Sequence, residues 1–285
     1  MRVLSGKTAE ALVRKLEQRG SAGLGRVEKQ VRRIVEDVRK NGDKALRRYA
    51  QKWDGVGPED PLRVSTAELK QAWRSVSQEF RNALQTAAAN IRSYCERQRP
   101  QEWRATIHPG IDVGQLVRPL QSVGCYVPGG RYPLPSTLLM TVIPAQVAGV
   151  SVIRVVSPRP APETLAAAFF LEVQEFYRIG GAQAIAALAY GTQSVPRVDK
   201  IVGPGNLFVT AAKKLVAFDC AIDFLAGPTE VVIVSHAGEP RFIAADLAAQ
   251  AEHDPETLPI FITTSKELAR EATREARKAV IANKI

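Results

Sequence analysis

Residues 122–157 read SVGCYVPGGRYPLPSTLLMTVIPAQVAGVSVIRVVS. Two short apolar runs, SVGCYV (122–127) and SVIRVVS (151–157), bracket a Gly- and Pro-rich turn and a stretch of helical length. Runs that are apolar at nearly every position are buried on both faces, and a helix between two of them implies a parallel βαβ crossover. The pattern continues downstream. EFYRIG (175–180), DKIVG (199–203) and VVIVS (231–235) have the length of buried strands. PETLAAAFFLEV (162–173), AQAIAALAYG (182–191) and NLFVTAAKKLV (206–216) have the length of helices. The expectation is an α/β fold, a parallel sheet flanked by helices and Rossmann-like but incomplete. Right-handed crossovers then collect the strand-to-helix loops at one edge, where open sheets of this kind take ligands.

Upstream the periodicity is helical. TAEALVRKLEQR (8–19), GRVEKQVRRIVEDVRKNG (25–42) and EFRNALQTAAANIRSYCERQ (79–98) carry apolar residues at three- and four-residue spacing. In RVSTAELKQAWRSV (63–76), Ser65 or Thr66 ahead of Glu68 is a capping signal. ATIHPGIDVGQLVRPL (105–120) reads as a hairpin with Pro-Gly at its turn. These patterns set three expected domains: 1–122 helical, 123–224 parallel α/β, and 225–285 returning to the first.

Composition narrows the function classes. With 285 residues, 45% of them hydrophobic and 24% charged, the chain has the make-up of a soluble globular protein. It has no apolar run of membrane-spanning length, so no membrane partner is expected. Its start has no apolar signal core, and Cys95, Cys125 and Cys220 are odd in number and widely spaced. Both point to a reducing cytoplasm. The net charge is +10, with 23 Lys and Arg against 13 Asp and Glu in residues 1–104 and 16 against 16 in 105–285. The basic part lacks a nucleic-acid motif, so a solvated helical face is expected there and no nucleic-acid partner.

Three loops on the expected edge are rich in Gly and Pro: YVPGGRYPLPST (126–137), IGGAQAIAAL (179–188) and VGPGNLFVT (202–210). Glycine lets a backbone approach a ligand, and helix N-termini attract anions. None of the three matches the dinucleotide fingerprint G-x-G-x-x-G. A fourth loop, FLAGPTEVVIV (224–234), places Thr229 and Glu230 beside a Gly-Pro turn. In DLAAQAEHDP (246–255), Asp246, Gln250 and His253 share one helix face. His253 is one of three histidines, with His108 and His236 elsewhere. A Gln oxygen and an imidazole do not complete a four-donor zinc site, so the spacing leaves helix surface and metal site both open.

Taken in order, GCYVPGGRYPLPSTLLM, RIGGAQAIAALAYGTQSVPRVDKIVGPGN, AGPTEVVIV and DLAAQAEHDP closely resemble histidinol dehydrogenases, and the resemblance spans nearly the whole chain. It implies an NAD-dependent, zinc-containing, homodimeric alcohol and aldehyde dehydrogenase that oxidises L-histidinol to L-histidine in histidine biosynthesis. Residues 123–224 would be the NAD-binding domain. The family's NAD contacts fall on Tyr126, Gln183 and Asn206. Its substrate contacts fall on Thr229, where the family usually has serine, and on Gln250 and His253, which also bind zinc. There the zinc anchors the imidazole and amino group of the substrate. Members are normally longer. The part beyond Ile285 carries their Glu-His catalytic pair and two further zinc ligands, so no catalytic residue is expected in this chain. The alternative is a non-catalytic truncated homologue or fragment that keeps only the ligand-binding loops.

Overall fold

The computed structural model describes residues 3–17, 22–129, 133–225, 230–253 and 257–282. Two compact units emerge, Leu24–Leu225 and a second made of Met1–Gly23 with Ala226–Ile285.

The larger unit is built on five parallel strands: β3 (Ser122–Tyr126), β4 (Val152–Val156), β5 (Glu175–Tyr177), β6 (Lys200–Val202) and β7 (Ala221–Ile222). Their spatial order is β5-β4-β3-β6-β7. The helices between them are α5 (Pro135–Val147), α6 (Pro162–Phe170), α7 (Gly181–Tyr190) and α8 (Leu207–Val216). The expected parallel sheet is therefore present, with β7 as a short strand that residue patterning did not reveal. β3 is central and buried at all five positions, which is why SVGCYV shows no polar alternation.

Helices from the first hundred residues cover both faces of this sheet. They are α2 (Ala22–Tyr49), α3 (Thr66–Ser75) and α4 (Gln78–Gln98). On one face, Val31, Val35, Val38 and Leu46 of α2 pack with Tyr126, Val156, Tyr177 and Ile201 and with α7 and α8. On the other, Leu69 of α3 and Leu84 and Ala88 of α4 pack with Val123, Cys125, Val155 and Phe176 and with α5 and α6. Each fully buried Val, Leu or Ile contributes about 1.5–3 kcal/mol. The boundary expected between residues 122 and 123 thus falls inside one compact unit. The boundary expected after residue 224 lies one residue from its end at Leu225.

Local sequence explains several joints. Ser65 caps α3 and Glu68 returns the bond, so the expected capping box is present. α2 breaks at Gly42, whose φ is 52° and ψ −133°, so the helix read over 25–42 continues after a kink. A π turn, Ala50–Asp54, follows α2 and ends on Gly55 in the left-handed region. Leu62–Val64 then runs antiparallel to β5, with Val64 N–H on the Phe176 carbonyl and Arg178 N–H on that of Leu62. That pairing covers the open edge of the sheet. The expected hairpin is also present, β1 (Trp103–His108) against β2 (Ile111–Gln115), turning through Pro109 and Gly110.

In the second unit, α1 (Lys7–Glu17) matches its expected helix. β8 (Glu230–Val234), α9 (Pro240–His253) and β9 (Leu258–Ile262) form a parallel βαβ unit, followed by α10 (Lys266–Ala282). VVIVS therefore pairs with β9 and does not join the five-stranded sheet. Ile243, Leu247, Leu268 and Ala272 pack with Ile233 and Phe261 to make a small core. No helix among the described residues is long and apolar enough to cross a membrane.

Candidate functional site

Strands β3, β4 and β5 step outward in one direction, and β6 returns to the other side of β3. The carboxyl ends of β3 and β6 therefore form a topological switch point, the place where an open α/β sheet leaves a crevice. Tyr126 ends β3 and Asn206 follows β6, so these two residues stand on the two sides of that point. Gln183 enters from the turn after β5, in the first turn of α7.

The Tyr126 side chain is 3% exposed and points toward the α7 face. Its hydroxyl accepts the Gly181 N–H at 3.1 Å. Burial pushes the phenol up to about 12, opposed by the Gly181 hydrogen bond. Gln183 is 2% exposed and donates its amide to Asp54 Oδ2 at 3.1 Å. The same oxygen accepts the Gly180 N–H at 3.1 Å. Burial raises the Asp54 pKa, while the Gly180 N–H, the Gln183 amide and the nearby Arg159 favour the charged form. Tyr126 and Gln183 thus meet on one turn, and Asp54, which sequence reading passed over, joins them. Tyr126 bonds to the backbone of this turn, Gln183 bonds to Asp54, and neither side chain is open to solvent.

Asn206 is exposed and caps α8, accepting from Phe208 N–H at 3.1 Å and Val209 N–H at 3.2 Å. Its loop, GPGN, is held from behind. Lys213, 2% exposed, donates to the Gly203 carbonyl at 3.0 Å and pairs with Asp223. The other Asp223 oxygen accepts the Gly203 N–H at 2.8 Å. By contrast, α5, α6 and α7 begin without a side-chain cap bond. The α7 start already meets the Tyr126 hydroxyl and the Asp54 carboxylate, which leaves the α5 and α6 starts as the ones that suit an anion. A cavity of about 280 Å³ lies on the same edge, lined by Asp54, Gly55, Asp60, Arg159 and Arg178 among others.

The metal expectation is less visible. Gln250 lies on α9, half-buried, and its carbonyl accepts Thr257 Oγ1 at 2.9 Å. His253 ends the same helix, but its side chain and all of Thr229 lie outside the described residues. Among the described residues, no three His, Cys, Asp or Glu gather as a metal-binding group.

A parallel sheet with a switch point and glycine-bearing turns after β3, β5 and β6 define an α/β protein of the open-sheet class. The chain belongs to the histidinol dehydrogenase family, whose model matches residues 17–284. The histidinol dehydrogenase of Methanothermobacter thermautotrophicus is 49% identical over 84% of this chain and 57% of its own length. That of Listeria monocytogenes is 44% identical over 98% of this chain and 66% of its own. The crystal structure of histidinol dehydrogenase from Elizabethkingia anophelis superposes with a TM-score of 0.84 at 35% identity, covering 90% of this chain and 60% of that one. The chain thus spans less than two-thirds of the length of these relatives.

Proposed function

We propose that the larger unit is the NAD-binding part of an enzyme that oxidises histidinol to histidine by two hydride transfers, in cytoplasmic histidine biosynthesis. Family membership supports this reading. The observation that carries it is the placement of Tyr126 and Asn206 on the two sides of the β3/β6 switch point. NAD, when bound, accepts one hydride in each oxidation, and two equivalents convert the alcohol through the aldehyde, with one water added, to the acid. The residues of this chain bind and orient. Gln183 and Tyr126 shape the α7 turn, and Asn206 fixes the start of α8. The free state of Cys95, Cys125 and Cys220 suits a reducing compartment.

Gln250 and His253 supply an amide oxygen and an imidazole nitrogen, which suit zinc but fill two of its usual four positions. Thr229 would offer its hydroxyl to the substrate. No group described here serves as the general base for the alcohol proton, a role worth about a hundredfold to ten-thousandfold in rate. The expected assembly is a homodimer. The test is calorimetric titration of NAD into the purified 285-residue chain, then NADH formation from histidinol with zinc added. NAD binding with little or no turnover is expected. Absence of NAD binding overturns the cofactor reading, and turnover at a full-length relative's rate requires a base within this chain.

A further inference from the structure

Asp54 closes the π turn after α2, in the short segment AQKWDG, where sequence alone gives a charged residue beside a glycine no reason to be buried. Yet it is 5% exposed, and one of its oxygens accepts both the Gly180 N–H and the Gln183 amide, each at 3.1 Å. Burying a carboxylate is costly, and an apolar residue would fill the space without that cost. A buried carboxyl at this position therefore needs a local reason. The partners supply it, because both donors belong to the turn between β5 and α7 at the carboxyl edge of the sheet.

The geometry orients the amide as well as holding it. The Gln183 nitrogen faces Asp54, and its oxygen lies against Gly181, where an added Cβ would stand 2.8 Å from Gln183 Oε1. Gly181 has φ +60°, which glycine adopts at little cost, and its N–H reaches Tyr126 Oη. Polar contacts thus run from Asp54 to Gln183 and to the Gly180 N–H, and from the Gly181 N–H to Tyr126 at the end of the central strand. Asp54 also lines the cavity on this edge, as does Arg159.

We propose that Asp54 is a positioning residue for the cofactor edge: it fixes the rotamer of Gln183, and so sets affinity for the dinucleotide, while its bond to the Gly180 N–H contributes to stability alone. This rests on the reading of Gln183 as part of the NAD site. Asp54 acts through Gln183 and does not itself touch the cofactor.

The test is a double-mutant cycle on the 285-residue chain, reading the NAD dissociation constant by calorimetry and the thermal midpoint in parallel. Asp54→Ala is expected to weaken NAD binding about tenfold, the scale of one hydrogen-bonded contact. Asp54→Asn is expected to restore most of that affinity, because its oxygen can accept both donors. In a Gln183→Ala background, Asp54→Ala is expected to cost no further affinity while still lowering the thermal midpoint. Should Asp54→Ala not fold, Asp54→Ser, whose shorter hydroxyl falls short of both donors, carries the same cycle. Equal losses in both backgrounds, or unchanged affinity without Asp54, overturn the inference and leave the cofactor reading standing. A wild-type chain that does not bind NAD overturns both, and a Gln183→Ala variant that binds it normally overturns the inference together with the role read for Gln183.

Discussion

Gly203 lies so close to Tyr126 that a Cβ on Gly203 would stand 2.2 Å from the Tyr126 carbonyl oxygen. The contact joins the loop after β6 to the end of β3, and Gly203 holds φ +112°. Gly203→Ala is therefore expected to lose about 1–3 kcal/mol from backbone conformation alone, with the steric overlap added. A urea midpoint close to wild type would show that the loop relaxes freely.

Lys213 and Asp223 form a buried pair behind the same loop, with side chains 2% and 17% exposed. Removing one partner of a buried pair leaves the other uncompensated and costs about 3–5 kcal/mol. Lys213→Met keeps the apolar stem and loses the ammonium, so a loss in that range at constant pH is expected from urea unfolding. A loss within the scatter of ordinary surface substitutions would mean that the Gly203 N–H bond to the Asp223 carboxylate alone holds the loop.

The Tyr126 hydroxyl accepts the Gly181 N–H, and burial pushes its phenol up to about 12. Tyr126→Phe leaves a partly buried N–H without its acceptor, which costs about 1 kcal/mol. In the folded wild type, Tyr126 stays neutral through the range where exposed tyrosines titrate. Because the folded pKa is raised, the stability linked to this group is complete below about pH 10 and is lost as pH rises through the folded value. Ultraviolet titration of wild type and Tyr126→Phe should give the same phenolate step below pH 11. A smaller step in the variant would show that Tyr126 is accessible.

Glu68 shows the opposite sign. Burial opposes its charge, but the Ser65 N–H, the Arg178 guanidinium and the Ser65 hydroxyl outweigh it and lower the pKa. Those bonds measure 3.0, 2.6 and 3.0 Å. A lowered carboxyl pKa contributes stability above the unfolded value, near pH 4.3, and loses it as pH falls through the folded value. The urea midpoint should therefore drop between pH 6 and pH 3, and Glu68→Gln should flatten part of that slope. An unchanged slope would assign the acid loss to other carboxylates, such as Asp37 and Asp43, which are also lowered.

The parallel sheet was legible because buried strands and their crossover helices differ in length and periodicity, as SVGCYV and AQAIAALAYG do. The capping box at Ser65 was legible because it is local. β7 was not, since two residues carry no period. β9 was hidden by Pro259, a residue that usually argues against a strand. VVIVS could be read as a strand but not assigned a partner, because pairing depends on residues distant in the chain. Among the candidate site residues, Tyr126, Gln183 and Asn206 were named by family resemblance. Asp54 and Lys213 were invisible for a physical reason: each is a charged residue in a polar or helical stretch, and its burial exists only once a distant turn folds over it.

The order β5-β4-β3-β6-β7 also has a consequence in time. During synthesis the central strand leaves the ribosome before either of its neighbours. Its pairing with β4 waits for residues 152–156, and its pairing with β6 waits for residues 200–202. The Ser122–Asp199 bonds that pin this second pairing close a separation of 77 residues. Such non-local contacts make folding slow. Until β6 arrives, one side of a strand buried at all five positions presents an unpaired edge, and nascent chains stalled before residue 200 should be the ones that chaperones hold and that aggregate when chaperones are depleted.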